Sequence, residues 1–121
     1  MSKILIVEDE KILAQMYRDK IQEAGHQADV VFSSEEATKY LKTKKIDLIL
    51  LDILLPKENG LAFLKRIKKD KELSKIPVVA FSNYDEPKTK KEALFLGALD
   101  YLIKTAYTPK ELVGELEKFL Q

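Results

Sequence analysis

The 121-residue chain carries 21 basic and 20 acidic side chains, one histidine and no cysteine, for a net charge near +1. That excludes disulfides, thiolate metal sites and cysteine nucleophiles, and it leaves no single-sign field to draw nucleic acid or an anionic membrane. With 45% hydrophobic and 34% charged residues the composition is globular, and the length fits one domain over residues 1–121 around one core. No apolar run approaches the ~18 residues of a membrane span, and the start MSKILIVEDE turns acidic too soon for a signal peptide. The expected address is the cytoplasm, with no membrane partner.

Along the chain, apolar clusters alternate in character. KILIV (Lys3–Val7) is short, continuous and β-branched, the pattern of a buried strand, and an acidic pair stops it. In EKILAQMYRDKIQEAG, residues Ile12, Leu13, Met16, Tyr17, Ile21 and Ala24 fall at helical spacing, with Gly25 as C-terminal cap. QADVVF reads as a more polar, edge strand. Ser33 and Glu36 form a capping box for a helix to about Lys42. DLILLD is again continuous and apolar, as in a strand covered on both faces. The spacing predicts a helix over Leu61–Lys69, then a strand in PVVAFS, whose Pro77 needs no ladder donor. A helix from about Glu86 to Leu96 ends at Gly97, DYLIK supplies a fifth strand, and Thr108-Pro109-Lys110-Glu111 opens a last helix as a capping box. Its inward residues are Leu112, Val113, Leu116, Phe119 and Leu120. His26 is read as a surface residue and the cations of KTKK (Lys88–Lys91) as a solvated face, while KRIKKDK (Lys65–Lys71) is basic but balanced by acids elsewhere and lacks the interleaved aromatics of a nucleic-acid site.

Strand and helix alternate five times through short connections. This predicts an α/β fold, a doubly wound (βα)5 three-layer sandwich whose five-stranded parallel sheet has the order 2-1-3-4-5. In such a sheet every strand's carboxyl end faces one edge, where sites form. Glu8 and Asp9 follow the first strand, Asp52 the third, Ser82 the fourth and Lys104 the fifth. Two like charges ~4 Å apart cost about 4 kcal/mol at an effective dielectric near 20, a large share of a domain's marginal stability. A hard divalent cation relieves that repulsion, and oxygen-only ligands completed by water and a substrate phosphate describe Mg2+. Lys104 then offers a positive charge to a phosphoryl oxygen, and Ser82 a hydroxyl. Taken singly, each of these residues is a cap, a turn former or a solvated charge; only their shared rim argues for chemistry.

The segments ILIVEDE (Ile4–Glu10), DLILLDILLPKENG (Asp47–Gly60), VVAFSN (Val78–Asn83) and GALDYLIK (Gly97–Lys104), in this order and spacing, resemble the receiver domain of bacterial two-component response regulators, the CheY-like, flavodoxin-like fold. The resemblance covers essentially the whole chain. It implies that Asp52 accepts a phosphoryl group from a phosphohistidine on a sensor histidine kinase or phosphotransfer protein. It also implies that Asp9 and Asp52 bind magnesium directly, Glu8 through water, with the backbone carbonyl of Leu54 completing the protein ligands. Lys104 would pair with the phosphoryl group, Ser82 would move to bond it, and Tyr101 would turn inward. Those motions would reshape the face of the fourth helix, fifth strand and fifth helix for a downstream partner or output domain. The protein would be a phosphoacceptor and not an enzyme beyond catalysing its own phosphorylation and dephosphorylation. It would be a monomer or a phosphorylation-dependent dimer, with no direct nucleic-acid contact.

The chain departs from the family pattern in places. Threonine, not proline, follows Lys104, where the family uses a cis peptide that costs about 2.5–4 kcal/mol without proline. Leu54 and Tyr84, bulky and uncharged, stand where the family tunes phosphoryl lifetime. No further domain is expected after Gln121 in this sequence, which leaves a single-domain regulator or the receiver of a longer chain. Three alternatives remain at this stage. An aspartyl-phosphate phosphohydrolase of the HAD-like type carries a second aspartate two positions after the first, where this chain has Leu54. A flavodoxin-type ligand module needs a glycine-rich loop, and the four glycines are scattered. A receiver-like interaction domain that is never phosphorylated has no reason to retain Asp9, Asp52, Ser82 and Lys104 together.

Overall fold

Continuous apolar runs form the middle of the sheet because only residues buried on both faces tolerate such composition. A computed structural model describes residues 2–120. Its strands are β1 (Lys3–Val7), β2 (Gln27–Val31), β3 (Leu48–Leu51), β4 (Val78–Ser82) and β5 (Asp100–Ile103). The helices are α1 (Lys11–Glu23), α2 (Ser34–Thr43), α3 (Gly60–Lys68), α4 (Pro87–Phe95) and α5 (Pro109–Glu117), with 3-10 turns at Leu73–Lys75 and Lys104–Ala106. All neighbouring strands pair in parallel, in the order β2-β1-β3-β4-β5, as the sequence predicts. The polar strand β2 lies at the edge.

Alternate strand residues divide the interior in two. Leu5, Ile49, Leu51 and Val78 pack with Phe63, Leu64, Ile67 and Ala93, so α2, α3 and α4 cover one face. Ile6, Leu48, Leu50 and Val79 pack with Tyr17, Ile21, Leu112 and Leu116, so α1 and α5 cover the other. Each of these fully buried leucines and isoleucines contributes about 1.5–3 kcal/mol relative to exposure.

Local signals set the helix ends. Thr108 Oγ1 accepts from the Glu111 N–H and the Glu111 carboxylate accepts from the Thr108 N–H, a complete capping box with Pro109 in the first turn. Ser33 accepts from the Glu36 N–H, but the Glu36 side chain reaches past it to the N–H of Phe32. Asn59 caps α3 through the N–H of Ala62. Gly97 ends α4 at φ 111°, in the left-handed region. Helix α4 is lightly anchored. Glu86 provides no side-chain cap and only Thr89 and Ala93 are buried, while Lys88, Lys90 and Lys91 lie exposed in first turns where the dipole disfavours cations.

Two sequence expectations change, and a third point that the sequence left open, the Lys104–Thr105 peptide, is decided. Ile12 and Met16 are not part of the inward stripe of α1: Ile12 is 86% exposed, and the buried face is Ala14, Tyr17 and Ile21, because the helix meets the sheet one position further round. His26 is not a free surface residue. Its side chain is largely covered, with Nε2 2.9 Å from Glu117 Oε2, tying the turn after α1 to α5. The Lys104–Thr105 peptide is trans, as are all described peptide bonds.

Candidate functional site

Strand register assembles the rim. Val7 pairs with Leu51, so Glu8 and Asp52 leave adjacent strands side by side, held by Glu8 N–H to the Val31 carbonyl and Asp52 N–H to the Val7 carbonyl at 3.0 Å each. Ser82 pairs with Ile103, which brings Lys104 next to the end of β4. Gly60 lets α3 begin directly against this edge: a Cβ there would lie 2.7 Å from the Ile53 Cα and closer still to the Asp52 carbonyl. Glycine is required by that close approach.

The side chains of Glu8, Asp9, Asp52 and Lys104 meet at this edge. Lys104 Nζ donates to Glu8 Oε1 and, at 3.3 Å, to Asp52 Oδ2. All three side chains are at most 8% exposed. The ammonium also lies 5.8 Å from the Phe81 ring centroid, a cation–π contact. Asp52 Oδ1 accepts the backbone N–H of Leu54 at 3.2 Å, and Glu8 Oε2 accepts the N–H of Glu10 at 3.2 Å. Asp9 is exposed at the lip. Glu8, Asp9 and Asp52 each present a carboxylate oxygen within 4.8 Å of the others. This all-oxygen donor set suits a hard divalent cation.

One ammonium against three carboxylates leaves the rim short of positive charge. Burial pushes the Glu8 carboxyl up to about 7, against the opposing pull of Lys104. For Lys104, burial works against the charged form, but the hydrogen bond to Glu8 and the nearby carboxylates outweigh it and hold the amine above its usual value.

Ser82 is fully buried at the end of β4. Its hydroxyl accepts the N–H of Tyr84 at 3.1 Å, so in this state it serves its own loop and not a carboxylate. Tyr101 is 3% exposed and donates to the Tyr84 carbonyl at 2.6 Å; burial raises its pKa. The ring thus lies inward, held by the Tyr84 backbone. Leu54 and Tyr84, 55% and 40% exposed, are among the exposed residues of the two loops that flank the rim. Three contributors escape sequence reasoning: the Leu54 N–H that orients Asp52, the Tyr84 backbone that links Ser82 to Tyr101, and Phe81 beneath Lys104. Only the first had a signal, since an aspartate opening a proline-containing loop favours a bond to the N–H two residues on.

Two outcomes follow for the chelator-treated protein. Asp9→Ala removes one uncompensated carboxylate and raises the melting temperature by a few degrees, about 1 kcal/mol for an exposed charge; an unchanged or lower value contradicts the repulsion. Because Glu8 holds its proton to about pH 7 when folded against 4.5 ordinarily, the folded state binds more protons in that window. Stability therefore falls as pH rises through it, and Glu8→Gln flattens the decline in urea unfolding; an equally steep decline in the variant removes Glu8 as its source.

Comparison with known proteins agrees with this geometry. Residues 4–117 match the family model of the response regulator receiver domain. The chain is 33% identical over 118 residues to the phosphate regulon transcriptional regulatory protein PhoB of Pseudomonas aeruginosa, covering 98% of this chain and 51% of that protein. It is 32% identical over 119 residues to the alkaline phosphatase synthesis transcriptional regulatory protein PhoP of Bacillus subtilis, covering 98% and 48%. The chain thus spans about half the length of the curated relatives it matches. Among solved structures, the receiver domain of the Francisella response regulator 1452 superposes with a TM-score of 0.90 at 30% identity, covering 99% of this chain and 97% of that one. Chemotaxis protein CheY4 of Vibrio cholerae gives 0.91 at 26% identity, covering 99% of each. With its fold, its rim of strand-end charges and these likenesses in agreement, the chain belongs to the receiver domains of two-component response regulators.

Proposed function

We propose that residues 1–121 form a receiver module in which Asp52 accepts a phosphoryl group from a phosphohistidine of a sensor histidine kinase or phosphotransfer protein. The observation that carries this reading is the placement of Asp52. It ends a buried strand at 6% exposure, with one oxygen on the Leu54 N–H and the other on Lys104. In the transfer, an Asp52 oxygen forms a bond to phosphorus as the phosphorus–nitrogen bond to the donor imidazole breaks.

Asp9 and Asp52 would hold a magnesium ion directly, Glu8 through water, and the Leu54 carbonyl would complete the protein ligands. When bound, the ion supplies positive charge against the phosphoryl oxygens. Lys104 supports the same charge from the protein side, and its bond to Asp52 fixes the orientation of the attacking carboxylate. Once Asp52 carries the phosphoryl group as a mixed anhydride, Ser82 leaves the Tyr84 N–H and donates its hydroxyl to the new phosphoryl oxygen. That shift moves the Tyr84 backbone, whose carbonyl holds Tyr101. Phosphorylation then selects one arrangement of Tyr101 and the lightly anchored α4, and so changes the α4–β5–α5 surface offered to a downstream protein or output domain.

This is signalling by a module that promotes its own phosphorylation and dephosphorylation, carried out in the cytoplasm. Leu54 is apolar and exposed where a phosphohydrolase needs its second aspartate, so that alternative finds no acid–base group. Incubation with Mg2+ and acetyl phosphate, followed by intact-mass measurement, should show one added phosphoryl group, absent from Asp52→Asn. Turnover of many equivalents of phosphate ester, or modification of the Asn variant, contradicts the assignment.

A further inference from the structure

The loop of residues 52–59 carries both the phosphoacceptor and the backbone group that orients it. Its first limb is held by packing: Ile53 and Leu55 are buried, and the Ile53 carbonyl accepts the N–H groups of Leu55 and Gly60. Its far limb has no such support. Pro56 and Lys57 are exposed and border a cleft of about 650 Å³ between α2 and the loop. Lys57 adopts φ 64°, a left-handed conformation uncommon for a residue with a side chain.

A ring of side chains holds that limb. Arg66 on α3 donates through Nε and Nη2 to both oxygens of Glu58, at 3.1 and 2.7 Å. Nη2 also donates to Thr38 Oγ1 at 2.9 Å. Thr38 donates to the Ser34 carbonyl at 2.9 Å, and the buried Ser34 hydroxyl donates to the Glu58 carbonyl at 3.2 Å. Glu58 is therefore fixed by backbone and side chain together, between α2 and α3. An exposed ion pair adds little to stability, so a forked arginine here has value as geometry.

We propose that Arg66 is a positioning residue for the phosphoacceptor loop. Acting through Glu58 and Ser34, it keeps the strained far limb from relaxing toward Leu54, whose N–H orients Asp52 and whose carbonyl would serve the cation. The proposal rests on the phosphoacceptor reading of Asp52. The test compares the wild-type chain, Arg66→Met and the exchanged pair Glu58→Arg/Arg66→Glu, in three readouts: magnesium affinity by calorimetry, phosphorylation rate from acetyl phosphate at saturating Mg2+, and melting temperature.

Arg66→Met lowers magnesium affinity and rate by about tenfold, the scale on which supporting contacts around a metal site act, while the melting temperature moves by no more than about 2 °C. The exchanged pair recovers most of both losses. Wild-type affinity and rate in Arg66→Met overturn the proposal. So does a loss that scales with the melting temperature and is not recovered by the exchange. A wild-type chain that binds magnesium yet takes no phosphoryl group contradicts the phosphoacceptor reading instead, and the affinity arm still decides the role of Arg66.

Discussion

The Lys104 ammonium, enclosed between Glu8 and Asp52, is the interaction on which the rest of the site depends. Two ionised carboxylates side by side at the ends of buried strands repel, and a cation between them offsets that repulsion. A lysine at the end of β5 supplies that cation permanently. It also fixes where Asp52 points. A buried pair of this kind is poor evidence for net stability, because desolvation offsets much of the Coulomb gain. Its use is to keep a negative pocket folded and in a defined shape, ready for an external cation and a phosphoryl group.

The sheet makes this possible through register alone. Neighbouring strands β1 and β3 end on Val7 and Leu51, and β4 and β5 pair Ser82 with Ile103. Residues far apart in the chain thus step off the same edge into the crevice at the switch in strand order. Gly60 then sets α3 against the back of Asp52, where any side chain would collide with the backbone. The scaffold is rigid beneath the site and soft beside it. Helix α4 buries two side chains and lacks a cap, so a small change at Ser82 has a nearby element with little to hold it in place.

Most of the architecture was legible in the sequence, because the signals were local or periodic. The continuous runs Lys3–Val7, Leu48–Leu51 and Val78–Phe81 read as strands covered on both faces. Thr108-Pro109-Lys110-Glu111 wrote its own helix start. The strand-end positions of Glu8, Asp9, Asp52, Ser82 and Lys104 followed from topology. Geometry that depends on rotation or on long-range partners was not legible. The spacing of Ile12 and Met16 fits an inward helical face, yet α1 turns that side to solvent. His26 finds Glu117 from 91 residues away. The inward state of Tyr101 depends on the Tyr84 carbonyl, a backbone group no side-chain pattern reveals. Arg66 read as one cation in a basic run, and its partners Glu58 and Thr38 lie on other elements.

Lys104 and Glu8 act as one charge-coupled unit. A double-mutant cycle of Glu8→Gln, Lys104→Met and the pair, read by urea unfolding in chelator, measures that coupling directly. Such a unit gives a coupling energy well above the roughly 1 kcal/mol ceiling of exposed ion pairs. It also makes Lys104→Met alone costlier than the pair, because that variant leaves two carboxylates buried without a partner. Effects that simply add, within about 0.5 kcal/mol, would show that the ammonium does not hold the rim together.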